Sequence, residues 1–248
     1  MDRHILSNLT SLFRFPFQGH DWANRFIVGC ALLFAGWVVP IVPVLFIYGY
    51  AVDLMRRVIR GDEPSLPPWE NWGRLFVDGL RAWVVGLVYL LPGTVILVGG
   101  FMLYMVGSFG MIPLAERQPP DALLFSFFVL IGVYFLSYLV GSLLFFLGLI
   151  PLPAATAHFV AEDRLGAAFQ VRRWWAVLRE RGWEYLIVWI LLFGITLLIY
   201  LILMGVYSTM CLCWLVPILA APMAFYTTLV AAALFGLVWR DYAIRTTE

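Results

Sequence analysis

Long apolar runs separated by short, arginine-rich polar intervals make up the chain. Residues 26–55, 84–107, 122–161, 185–208 and 214–239 contain almost no charge. Runs of this length without strand-like alternation predict hydrocarbon-spanning helices. The fold class expected is therefore all-α integral membrane. About six transmembrane helices are expected, the first two a short proline-broken hairpin, together with amphipathic interfacial helices. The whole chain, 1–248, reads as one polytopic membrane domain.

The first run decides the count. As a single helix, residues 26–55 would be ~45 Å long, against a hydrocarbon core of ~30 Å. Pro40 and Pro43 sit in its middle, remove two amide donors and clash with the preceding turn. It is either one kinked span or a hairpin of two short ones, and charge favours the hairpin. Arg56, Arg57, Arg60, Arg74 and Arg81 place the following stretch in the cytoplasm by the positive-inside rule, and Arg3, Arg14 and Arg25 ask the same of the N-terminal segment. Both hold only if 26–55 crosses twice, or dips in and returns.

The remaining intervals follow the same logic. Arg117 stands against Glu116 and Asp121, so 108–121 is the outer side. Arg164, Arg172, Arg173, Arg179 and Arg181 make 162–184 cytoplasmic, and Arg240 and Arg245 do so for the C-terminus. The expected spans are about 24–40, 43–57, 82–107, 122–150, 185–208 and 214–239. Interfacial segments are expected at 66–80 and 165–183. Both termini then lie in the cytoplasm and the protein is multi-pass in the cell (plasma) membrane. The runner-up is five crossings with the N-terminus outside.

Composition removes the soluble classes. The chain is 63% hydrophobic and 12% charged, where soluble domains carry about 25% charge. The net charge of +1 names no partner, and no nucleic-acid partner is expected. Cys30 lies in an apolar run and reads as a buried thiol. Cys211 and Cys213 flank Leu212 too closely for an unstrained disulfide, and the pair offers too few ligands for a metal.

Several motifs carry a resemblance. They are Gly49-Tyr50 through Arg60-Gly61, then Leu66-Pro67-Pro68-Trp69-Glu70-Asn71-Trp72-Gly73, then Phe76-Val77-Asp78-Gly79-Leu80. With them go Phe13-Arg14-Phe15-Pro16-Phe17, Asp21-Trp22 and Ala167-Ala168-Phe169. In these the chain resembles the prokaryotic membrane proteins of the domain-of-unknown-function family 4013. That resemblance implies a polytopic fold and a membrane location, and it brings no reaction or binding residues.

Candidate chemistry comes down to single residues. His158, between a proline break and Glu162-Asp163, could serve as a proton relay or as an axial ligand to a haem or pigment. A histidine hydrogen-bonded near the inner interface is the favoured alternative, and no cofactor is expected. Asp53 lies one helical turn before Arg56 and Arg57, and Asp78 one turn before Arg81, so pairing explains both carboxylates. Trp69 and Trp72, on a rigid Pro67–Gly73 turn, are expected to face lipid at the inner interface. Arg172, Arg173, Trp174 and Trp175 are expected to touch anionic headgroups. Gly99-Gly100, Gly107, Gly132, Gly141 and Gly148 allow close helix approach, within the chain or to another subunit.

No nucleotide-binding loop, metal-ligand spacing or nucleophile elbow occurs, so no enzyme activity is expected. The expected function is a non-catalytic scaffold or accessory subunit of a membrane complex. Its partners would be membrane lipids and other membrane-protein subunits. The alternative is a carrier or channel for a small solute or lipid, suggested by helices broken at Pro40/Pro43, Pro151/Pro153 and Pro217/Pro222.

Overall fold

The computed structural model describes residues 9–114 and 119–247, and those residues hold helices and turns but no strands. The helices are α1 (Leu9–Arg14), α2 (Trp22–Ala35), α3 (Val42–Arg60), α4 (Trp72–Met111), α5 (Pro120–Leu149), α6 (Leu152–Glu162), α7 (Val171–Glu180), α8 (Gly182–Ser208) and α9 (Val216–Thr247). Short 3₁₀ turns at Phe15–Phe17, Ile112–Leu114, Leu165–Phe169 and Met210–Leu215 join several of them. Arg3, Glu116 and Arg117 lie outside the described residues, as do the side chains of Arg245, Cys211 and Cys213.

Four helical stretches are long and apolar enough to cross a membrane: Trp72–Met111, Pro120–Glu162, Gly182–Ser208 and Val216–Ile244. By length and composition the chain is an integral membrane protein. The hydropathy pattern led to six crossings, and the difference lies wholly in the first run. That run does break at Gly36–Ile41 and forms two helices. However, α2 has only 14 residues, ~21 Å of helix, and the last turns of α3 carry Arg56, Arg57 and Arg60. Neither qualifies as a span. The interfacial segment expected at 66–80 is likewise divided: 62–71 is non-helical, and Trp72 already begins the 40-residue α4.

Two compact units are present, one formed by the residues before Gly86 together with those after Leu152, the other by Gly86–Leu152. In the first, α9 is the central helix, lined by buried Phe225, Leu229, Val230, Ala233 and Leu234, and it packs against α2, α3 and α8. Helix α3 ends on Gly61 at φ 103°, with the Gly61 amide on the Val58 carbonyl and the Asp62 amide on that of Arg57. This is the Schellman closure that glycine permits. The chain then doubles back. Leu66 and Pro67 are buried, the Tyr50 hydroxyl donates to the Pro67 carbonyl at 2.7 Å, and the Trp69 indole donates to that of Arg25 at 2.7 Å. The Arg25 guanidinium in turn donates to the Leu66 carbonyl. This strap ends at Asn71, whose φ of 53° is one asparagine tolerates, and α4 begins.

Helices α3 and α4 cross at a pair of glycines. A methyl group on Gly49 would lie 1.8 Å from the Leu75 carbonyl oxygen, and one on Gly79 1.8 Å from that of Leu45. Only two residues without Cβ allow the backbones so close.

The second unit is an antiparallel pair, the later part of α4 with α5. Gly93, Gly100 and Gly107, seven residues apart, meet Phe145, Ser137 and Leu130 in turn. From the other side Gly141 receives Leu97, and Gly148 lies against Tyr89. A seven-residue repeat of small residues keeps one seam between two helices facing inward along its length.

Candidate functional site

The polar groups withdrawn from solvent gather at one end of the first unit. Arg56 lies at their centre, with 4% of its side chain exposed. Its Nη2 donates to Asp78 Oδ2 at 2.9 Å and to Asp163 Oδ1 at 3.2 Å. Its Nη1 stands 3.7 Å from Asp53 Oδ1, an ion-pair distance, and Nε and Nη1 make no hydrogen bond among the described residues. Asp53 also accepts from Arg57 at 3.2 Å, while Arg74 and Arg81 each stand 3.6 Å from Asp78. Four arginines thus surround three carboxylates supplied by α3, the start of α4 and the residue after α6. Of these, Arg56 and Asp78 are buried, which is tolerable because each is paired.

A second group adjoins it through the neighbouring residues Glu162 and Asp163. Buried His158 shares a hydrogen bond with Glu162 Oε1 through Nε2 at 3.0 Å, and its ring stacks on Trp239 with centroids 5.1 Å apart. Glu162 also accepts from Arg164, and from Arg173 at 3.4 Å. His158 Nδ1 is closed off from solvent and has no partner among the described residues. Nε2 is thus occupied by Glu162 and Nδ1 enclosed. At the foot of α8, buried Arg181 donates to Glu184 at 2.8 Å and to the Asp241 carbonyl at 3.0 Å.

The local pairs expected from spacing are all present: Asp53 with Arg56 and Arg57, and Asp78 with Arg81. What spacing missed is the link from Arg56 to Asp78 and Asp163, 22 and 107 positions away. The aromatic residues divide. Trp69 is half-buried rather than directed outward, stacked 4.1 Å from Tyr50 and 5.5 Å from Trp72, whereas Trp72 is exposed. Trp174 is buried, while Trp175, Arg172 and Arg173 are exposed. Among the described residues no group of three or more His, Cys, Asp or Glu is placed to hold a metal. The cluster's geometry ties elements together, and it places no nucleophile beside a base.

The profile of a family described as "Protein of unknown function (DUF4013)" matches residues 32–208. The chain belongs to the DUF4013 family. Comparison with curated proteins and with solved structures found no match. In this DUF4013 protein the matched stretch contains the whole Arg56 cluster, both crossing glycines and His158, whereas Trp239, on which His158 stacks, lies beyond it.

Proposed function

We propose that this DUF4013 protein is a non-catalytic scaffold or accessory subunit of a membrane complex. It would sit in the cell membrane with both termini in the cytoplasm, the α2–α3 hairpin adding a return passage to the four longer helices. One observation carries this reading: each unit, taken by itself, exposes apolar helix surface suited to close helix contact. The most apolar stretch of α5 has no buried residue. A methyl group on Gly99 of α4, Gly132 of α5, or Gly194 and Gly205 of α8 would meet nothing within 4 Å among the described residues. In lipid, glycines let helices approach closely and associate through packing. The buried charges support the same reading, because they bind elements of this chain to one another.

Extraction into lipid nanodiscs tests the proposal, followed by quantitation of every co-purifying polypeptide. A second membrane protein in fixed stoichiometry is expected. A monodisperse single chain with lipid alone would remove the scaffold reading. Saturable solute uptake by reconstituted vesicles would instead establish the carrier alternative.

A further inference from the structure

The expectation that Arg172, Arg173, Trp174 and Trp175 act together at the membrane changes once α7 is seen folded. Trp174 and Val177 are buried and form the inward face of this ten-residue helix, which packs on α8 and α9. Arg173 is engaged by Glu162. The outward stripe consists of other residues. Val171 and Trp175, four apart, are each 57% exposed. Arg172 and Arg179, seven apart, share the next stripe at ~100° per residue. Both are exposed, and neither has an ion pair or hydrogen bond among the described residues. Glu180, the only carboxylate on α7, points about 80–100° away from the two arginines. Trp183, the second residue of α8, is 63% exposed.

Exposed tryptophan beside unpaired arginine needs a covering that is apolar on one side and anionic on the other. An acidic protein surface and an anionic lipid leaflet both meet this description, and position selects the lipid. One residue separates α7 from Gly182, the first residue of a helix long and apolar enough to cross a membrane. The stripe is therefore at the foot of a span, at the depth where tryptophan and arginine anchor to headgroups. We infer that α7 is a binding element for anionic phospholipid. Trp175 and Trp183 enter the acyl boundary, and Arg172 and Arg179 each hold a headgroup phosphate. Arg and phosphate form charge-assisted, bidentate hydrogen bonds, and a basic helix with an apolar stripe lies flat in the interface.

The test uses the full-length protein in nanodiscs of phosphatidylcholine with a minor fraction of phosphatidylglycerol. The wild type is expected to enrich phosphatidylglycerol in its bound lipid, read by native mass spectrometry. The R172Q/R179Q double variant should lose that preference by on the order of tenfold, and R173Q should keep it. A double variant with undiminished preference would overturn the inference. So would R173Q matching the double variant. Should the double variant fail to fold, a second measurement stands without it. A spin label at W175C, with Cys30, Cys211 and Cys213 replaced by serine, should show high oxygen and low nickel-chelate accessibility. Water-like accessibility at that position would refute the lipid contact.

Discussion

Arg56 Nη2 lies 2.9 Å from Asp78 Oδ2, with about 4% and 5% of the two side chains exposed. The pair joins α3 to the start of α4 at a level where neither residue can recover its hydration. Removing one partner strips the other of its shortest hydrogen bond, although Asp53 and Asp163 stay beside Arg56, and Arg74 and Arg81 beside Asp78. The cost is about 1.5–3 kcal/mol, and apolar replacement of both is milder. Arg56→Met and Asp78→Leu alone should each lower the unfolding midpoint in mixed detergent sharply. Arg56→Met with Asp78→Leu together should recover much of the loss. Additive losses in the double variant would show that the two residues act independently.

The glycine crossing supplies a separate check. Gly49→Ala and Gly79→Ala each drive a methyl group into a carbonyl oxygen of the other helix. Backbone cannot yield as a flexible side chain can, so a loss of about 3 kcal/mol or more is expected. Gly86→Ala places its methyl group in open space and should be neutral or slightly stabilising, since alanine is the better helix former. Thermal unfolding followed by fluorescence distinguishes these outcomes. Equal midpoints for all three variants would mean that α3 and α4 do not cross at this pair.

In the Gly86–Leu152 unit, the seven-residue glycine seam sets the register. Cysteines substituted for Leu97 and Gly141, which face each other, should cross-link rapidly under oxidant. A Gly100→Leu change should slow that reaction several-fold by forcing the helices apart at Ser137. A rate unaffected by Gly100→Leu would contradict the seam.

His158 on Trp239 is expected to be structural. His158→Phe keeps an aromatic ring against the indole but loses the Glu162 hydrogen bond. The cost should be about 1–3 kcal/mol, the range for a lost buried bond to a charged group. The purified wild type should show no visible absorption band. A band that His158→Phe abolishes would establish the pigment-ligand role instead.

How far these features could be read in advance depends on the range of the interaction. The hydropathy runs located the helices because burial in lipid demands uninterrupted apolar length, and Pro40 and Pro43 marked the break between α2 and α3. Pairs one turn apart, Asp53 with Arg57 and Asp78 with Arg81, were legible because helix geometry alone brings them together. Arg56 with Asp78 and Asp163 was not, since that meeting depends on how three separate elements pack. The packing of Trp69 on Tyr50 and the burial of Trp174 were not legible for a related reason. An indole favours the interface and the packed interior alike, and a linear pattern holds nothing to tell the two apart. The early start of α4 at Trp72 was hidden by Arg74, Asp78 and Arg81, whose charge set 66–80 apart from the apolar span as an interfacial segment.

The scaffold assignment is tested most directly on the open glycine faces, by photo-cross-linking in living cells. A photoreactive residue would replace Gly132 in one strain and Gly194 in another, with Leu97, half-buried and packed against Gly141, as the internal control. The expected result is one discrete protein adduct of reproducible mass from an open-face position and none from position 97. Lipid adducts alone at both open faces would contradict the assignment of this chain as a subunit of a larger membrane complex.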